Sequence, residues 1–148
     1  MKSFAPSNSV IIDTGCWLAL GNRRDAFHEQ AKRLLTMLDD PFVTTWPVIT
    51  ETSYLLRRDA GLVAQLAFFR SLEAGVAELL QLRQSHCARI QILMQKYADL
   101  PMDLADASLV ILAEEIGGGR ILSTDQRDFH AYRWKNHKPF ENLLLPDD

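Results

Sequence analysis

Val10-Ile11-Ile12-Asp13 is the stretch that decides the fold. Three β-branched apolar residues in a row cannot alternate between a core face and a wet face. The run therefore predicts a strand buried on both sides, as in a parallel sheet covered by helices. It stops on an acid. The same pattern returns late in the chain, where Ile121-Leu122-Ser123-Thr124 leads to Asp125. In open sheets of this kind ligands bind beyond the carboxyl ends of the strands, where these two acids are expected.

Between them the pattern alternates. Cys16 to Leu20 suits a first helical turn or two, and Asp25 is expected to cap a helix to about Leu38. Phe42 to Thr45 reads as a strand, and Pro47 fits the first position of a helix to about Asp59. A helix over Leu62 to Glu73 is closed by Gly75, and Val76 to Leu82 is expected to be a strand. Helices follow over Arg83 to Tyr97 and Asp103 to Ile116, the latter closed by Gly117-Gly118-Gly119. A fifth strand is expected within residues 140–145, around Leu143. Strands alternating with helices predict an α/β fold with helices on both faces of the sheet.

The 148 residues match one domain, and 47% apolar with 24% charged residues is ordinary globular composition. Cys16 and Cys87 are too few for a disulfide scaffold or a zinc cluster, and they suit a reducing cytoplasm. No apolar run approaches the roughly 18 residues of a membrane span, and Met1 to Val10 does not read as a signal peptide. Net charge is −3, which argues mildly against bulk electrostatic binding of nucleic acid. The distribution is uneven. Residues 99–115 hold five acids and no Lys or Arg. Residues 120–138 hold Arg120, Arg127, Arg133, Lys135 and Lys138 against Asp125 and Asp128. These cations, with Arg23, Arg24 and Arg33, are the candidates to meet a phosphate backbone.

Two further acids face inward by helical geometry. Glu51 falls beside the Val48/Leu55 stripe, and Asp106 borders the stripe of Ala105, Leu109 and Leu112. Each acid also has a purely structural reading. Asp13 and Asp125 suit helix caps, Glu51 could pair with Arg58, and Asp103 with Asp106 spells an acidic capping box. Acids gathered at one rim repel, and an all-oxygen set of this kind favours a hard divalent ion, Mg²⁺ or Mn²⁺, suited to phosphodiester hydrolysis.

Asp13-Thr14-Gly15 also spells the aspartic-protease signature, which belongs to an all-β fold. Gly15 removes the second aspartate that a haloacid-dehalogenase-like phosphatase needs, and no phosphate-binding glycine loop is present. The four histidines, His28, His86, His130 and His137, are scattered and read as surface or packing residues. Trp17, Trp46 and Trp134 read as packing residues, with Trp46 or Trp134 as the ones able to stack a base.

The chain resembles the PIN-domain ribonucleases, in particular the VapC-like toxins, over nearly its whole length. The resemblance rests on residues 10–15, Val48-Ile49-Thr50-Glu51-Thr52, Asp103-Leu104-Ala105-Asp106-Ala107-Ser108-Leu109, and residues 121–129, with Leu143-Leu144-Leu145-Pro146 at the close. It implies a three-layer α/β/α sandwich with a mostly parallel central sheet. It implies a metal-binding catalytic quartet of Asp13, Glu51, Asp106 and Asp125 holding Mg²⁺ or Mn²⁺. Thr14 or Thr124 would support the quartet by hydrogen bonding, Asp128 would stand behind it, and Asp103 is an extra acid. The implied activity is metal-dependent cleavage of single-stranded or structured RNA, in the cytoplasm. An antitoxin chain and a homodimer are the implied partners, with no membrane. The alternative is an inactive RNA- or protein-binding module on the same fold.

Overall fold

The computed structural model describes residues 5–146. Its sheet has five strands in the order β3-β2-β1-β4-β7, every neighbouring pair parallel. These are β1 (Val10–Ile12), β2 (Phe42–Thr45), β3 (Glu78–Leu80), β4 (Arg120–Leu122) and β7 (Glu141–Asn142). Val10, Ile11 and Ile12 are fully buried, as a central strand with no alternation requires. A parallel sheet removes the protease reading of Asp13-Thr14-Gly15.

The helices are α1 (Thr14–Gly21), α2 (His28–Met37), α3 (Trp46–Ala60), α4 (Leu62–Glu73), α5 (Cys87–Lys96), α6 (Leu104–Ile116) and α7 (Gln126–Ala131). Helix α6 is buried at nine of its thirteen positions and packs against β1, β2, α3 and α5. A helix apolar on nearly all sides has to be enclosed in this way. Gly117, at φ 73°, ends it in the left-handed conformation that glycine adopts at no steric cost. Among the described residues no helix is long and apolar enough to cross a membrane.

From β1 the chain builds outward through β2 and β3, then returns to the other side of β1 as β4. The order reverses between β1 and β4, so their carboxyl ends flank the crevice where this architecture binds ligands. Asp13 follows β1 directly.

Several local expectations need correction. Asp25 does not cap α2: its Oδ1 accepts the Phe27 N–H at 2.9 Å, an Asx turn that delays the helix to His28. Residues 84–86 form a 3₁₀ turn before α5 starts at Cys87, because the His86 side chain folds back onto the Arg83 N–H. The third strand is confined to Glu78–Leu80, and the last lies at Glu141–Asn142, short of Leu143. A two-stranded antiparallel ladder, β5 (Arg133–Trp134) with β6 (Lys138–Pro139), was not expected.

Candidate active site

Asp13 sits at the centre. It is the N-cap of α1 and is 7% exposed. Its Oδ1 accepts the Thr14 N–H at 2.7 Å, and its Oδ2 accepts the Ser123 hydroxyl at 2.8 Å. Burial pushes its carboxyl up to about 6. The two hydrogen bonds oppose that shift, and the charges of Glu51 and Asp125 add to it. Asp13 is therefore a cap and a member of an acidic cluster at once.

Ser123 ties two strand ends together. Beyond its bond to Asp13, its Oγ accepts the Asp125 N–H at 2.9 Å. Asn142 on β7 clasps its backbone, taking the Ser123 N–H at 3.2 Å and donating to its carbonyl at 2.9 Å. Asp125 caps α7 by accepting the Asp128 N–H at 3.0 Å. Burial, then the Asp128 side chain, raises the Asp125 carboxyl. Asp128 is itself buried, and Arg127 approaches it at 3.3 Å.

At the start of α6 the capping box is formed. Asp103 Oδ1 accepts the Asp106 N–H at 2.8 Å, and Asp106 Oδ2 accepts the Asp103 N–H at 3.4 Å. Tyr132, fully buried in a ring cluster with Tyr97 and Phe129, donates its hydroxyl to Asp106 Oδ2 at 3.4 Å. Burial first, then Asp103 and Asp13, pushes the Asp106 carboxyl up to about 8. Glu51 stands half-buried on α3 and is not held by Arg58, which pairs with Asp59 instead.

The structure thus links all four acids electrostatically through Asp13, which feels Glu51 and Asp125 and is felt by Asp106. Among the described residues none of the four forms an ion pair with Lys, Arg or His. Nor do three such acids, imidazoles or thiols among those residues already converge on a single point. The donor set is all oxygen, which suits a hard cation that would draw the carboxylates together. The residues that follow Asp13 and Glu51 in sequence, Thr14 and Thr52, each have a buried hydroxyl without a hydrogen-bond partner.

Of the two threonines expected to support the acids, Thr14 bonds Asp13 and Thr124 does not. Thr14 reaches Asp13 through its backbone N–H. Ser123, not Thr124, supplies the hydroxyl. Thr124 instead packs on Gly15, where any Cβ would collide with its Oγ1. The missed signal was register: Ile12 pairs with Leu122, which sets Ser123 level with Asp13. Tyr132 gave no sequence signal.

The basic segment is also misplaced by sequence order. Arg120 opens β4 at the far end of the sheet, bonded to the Asn8 carbonyl and Asp40. The Lys135 N–H bonds Glu114 in the last turn of α6, eight residues and so about 12 Å from Asp106 along the axis. Lys135 and Lys138 lie over the Trp134 ring. Arg133 Nη1 donates to the carbonyls of His130, Ala131 and Tyr132. Arg127, 81% exposed, stays beside Asp125.

Comparison with known proteins agrees with this fold. The model of the PIN domain matches residues 10–135. Ribonuclease VapC26 of Mycobacterium tuberculosis is 31% identical over 124 residues, covering 84% of this chain and 92% of that protein. The crystal structure of VapC20 from the same organism, described as a sarcin-ricin loop cleaving toxin, superposes with a TM-score of 0.74 at 24% identity. It covers 80% of this chain and 91% of that one. The parallel sheet, the family match over most of the chain and the curated relative agree that the chain is a VapC-like member of the PIN-domain family.

Proposed function

We propose that the protein is an endoribonuclease, with residues 1–148 acting as one unit and Asp13, Glu51, Asp106 and Asp125 as its catalytic acids. The observation that carries this reading is the set of mutually repelling carboxylates, Asp13 buried and the others partly so, at the strand-order reversal, none of them in an ion pair among the described residues. Such a set weakens the fold unless a cation offsets it. The four acids would hold Mg²⁺ or Mn²⁺, which lowers the pKa of a water and steadies charge on a phosphate.

The chain's own groups have distinct tasks. Ser123 and the Thr14 N–H fix both oxygens of Asp13. Tyr132 holds Asp106 from behind. Asp103 caps α6, on which Asp106 stands, and Asp125 itself caps α7 through the Asp128 N–H. With a carboxyl near 8, Asp106 is largely protonated at neutral pH without a cation and gives up that proton on binding one.

The ribonuclease name of the 31% identical relative supports RNA as substrate; a toxin role, an antitoxin partner and a cytoplasmic setting complete the proposal. The test is cleavage. The protein should cut single-stranded RNA with Mg²⁺ or Mn²⁺, stop in EDTA, and leave 5′-phosphate and 3′-hydroxyl ends. Full cleavage in excess EDTA, or cyclic phosphate ends, refutes the metal reading. RNA retention without cleavage in Mn²⁺ favours the inactive binding module.

A further inference from the structure

Of the three tryptophans, Trp17 and Trp134 are 3% and 7% exposed, and both have their indole N–H bonded, to Thr44 Oγ1 and the Pro139 carbonyl. Trp46 is 42% exposed. It is the first residue of α3, directly after β2, and so stands at the rim that carries Asp13. It lines an open groove of about 470 Å³ together with Pro47, Glu51, Asp103 and Leu104, the last also exposed. Its lining comes from the starts of α3 and α6, and each contributes an apolar side chain and an acid, Trp46 with Glu51 and Leu104 with Asp103.

The backbone beneath Trp46 is fixed. Thr45 is fully buried, shares a 2.6 Å hydrogen bond with Ser108 Oγ and accepts the Val48 N–H, and Pro47 locks the next φ. On a fixed backbone only the side-chain torsions of Trp46 are left to order when a ligand lands on it. Lys135, Lys138 and Arg120 lie at the far end of the molecule, so they cannot supply affinity for the nucleotides beside the acids. Arg127 stays near Asp125, and an uncharged contact at the groove would add to it.

We infer that Trp46 is the base-stacking surface of the substrate groove, taking the face of an unpaired RNA nucleobase next to the bond that is cut. This rests on the ribonuclease reading and adds how substrate is held. A stacked base is unselective because every base has a π face, so Trp46 sets affinity and position rather than sequence. Leu104 closes the other side of the slot.

The test uses the full chain. Titration with a single-stranded RNA octamer in EDTA should quench the emission of Trp46, the exposed one of the three. In Mn²⁺, Trp46→Ala should raise KM roughly 5- to 100-fold with kcat within about twofold, and Trp46→Phe should restore most of the loss. Octamers carrying one abasic nucleotide, scanned along the strand, give a readout on the unmodified protein. One abasic position should weaken wild-type binding but not that of Trp46→Ala. An unchanged KM in Trp46→Ala, or equal abasic penalties in both proteins, overturns the inference while cleavage by the wild type leaves the nuclease reading standing. A change in oligomeric state or antitoxin affinity with KM unchanged also overturns it and makes the face a protein contact. A wild type that neither binds nor cuts RNA overturns both.

Discussion

In the last turn of α6, Glu114 accepts two hydrogen bonds from Arg89, at 2.9 and 2.6 Å, and a third from the Lys135 N–H. Its neighbour Glu115 accepts one from His86 Nε2 at 2.6 Å. In the first turn of the same helix, Asp106 has, among the described residues, only its capping partner and the Tyr132 hydroxyl, and Asp103 and Asp13 press on it. The helix dipole favours acids at the first turn and disfavours them at the last. The chain has supplied a cation, Arg89, and further donors where the dipole is adverse, and has given Asp106 no cation where it is kind. Acids at the last turn have been settled within the fold, and those at the first have been left for something outside it.

The largest effect should come from removing the unsettled acid. Asp106→Asn keeps the side-chain size and should lower RNA cleavage by 100-fold or more, while the protein without added metal melts at the same temperature or higher. The pH dependence follows from the raised carboxyl. Between its ordinary value of 3.8 and about 8, folded Asp106 binds more proton than the unfolded chain does. Stability of the metal-free protein should therefore fall as pH rises through that window, and Asp13, raised to about 6, adds to the slope at its lower end. Apparent Mn²⁺ affinity should rise over the same range as the proton is displaced. Melting curves from pH 5 to 8.5 with and without Mn²⁺ check both. A wild-type slope that persists in Asp106→Asn breaks the contrast between the two ends of the helix.

Next is Ser123→Ala. It removes the hydroxyl that holds Asp13 Oδ2 and leaves the acids in place. Loss of such a supporting bond typically costs 10- to 100-fold in metal affinity or activity. The measurement is Mn²⁺ dependence of the cleavage rate: the half-saturating concentration should rise. Thr124→Ser, which keeps a small hydroxyl against Gly15, should leave it unchanged.

How much of this could be read beforehand depends on how local each cause is. Three apolar β-branched residues before Asp13, Pro47 just inside α3, the Asp103/Asp106 box and Gly117 are one-segment signals, and each element lies where they put it. The pairing of Ser123 with Asp13 depends on the register of two strands far apart in sequence, which no segment encodes. Tyr132 reaches Asp106 only because the short α7 docks its ring against Phe129 and Tyr97. The run of cations after residue 120 looked like a flank of the site because it adjoins Asp125 in sequence. The return through β5 and β6 carries Lys135 and Lys138 to the other end of α6.

At the settled end the prediction is the reverse of that for Asp106. Glu114→Gln loses one ion pair and, with one acceptor oxygen in place of two, at least one of the two Arg89 hydrogen bonds, leaving Arg89, 23% exposed, without its carboxylate. Stability should fall by about 1–3 kcal/mol, with cleavage per folded molecule unchanged. A drop in kcat at full folding would mean that the two ends of α6 are coupled.

The smallest and most discriminating effect is at Asp103, which belongs to both accounts. Its Oδ1 caps α6 through the Asp106 N–H, and its charge helps raise the Asp106 carboxyl. Asp103→Ala removes both and should cost about 0.5–2 kcal/mol as a lost cap. Asp103→Asn keeps a good cap and removes only the charge. Its metal-free stability should match or exceed wild type, because repulsion on Asp106 is relieved. With that repulsion gone, Asp106 releases its proton at lower pH, so the pH midpoint for Mn²⁺ binding should shift down while cleavage at neutral pH changes by only a few-fold. Melting curves and the pH profile of Mn²⁺ binding on the two variants separate cap from charge. If Asp103→Asn keeps full stability yet loses cleavage as completely as Asp106→Asn, then Asp103 is a fifth catalytic acid and the first turn of α6 presents two carboxylates to the cation instead of one.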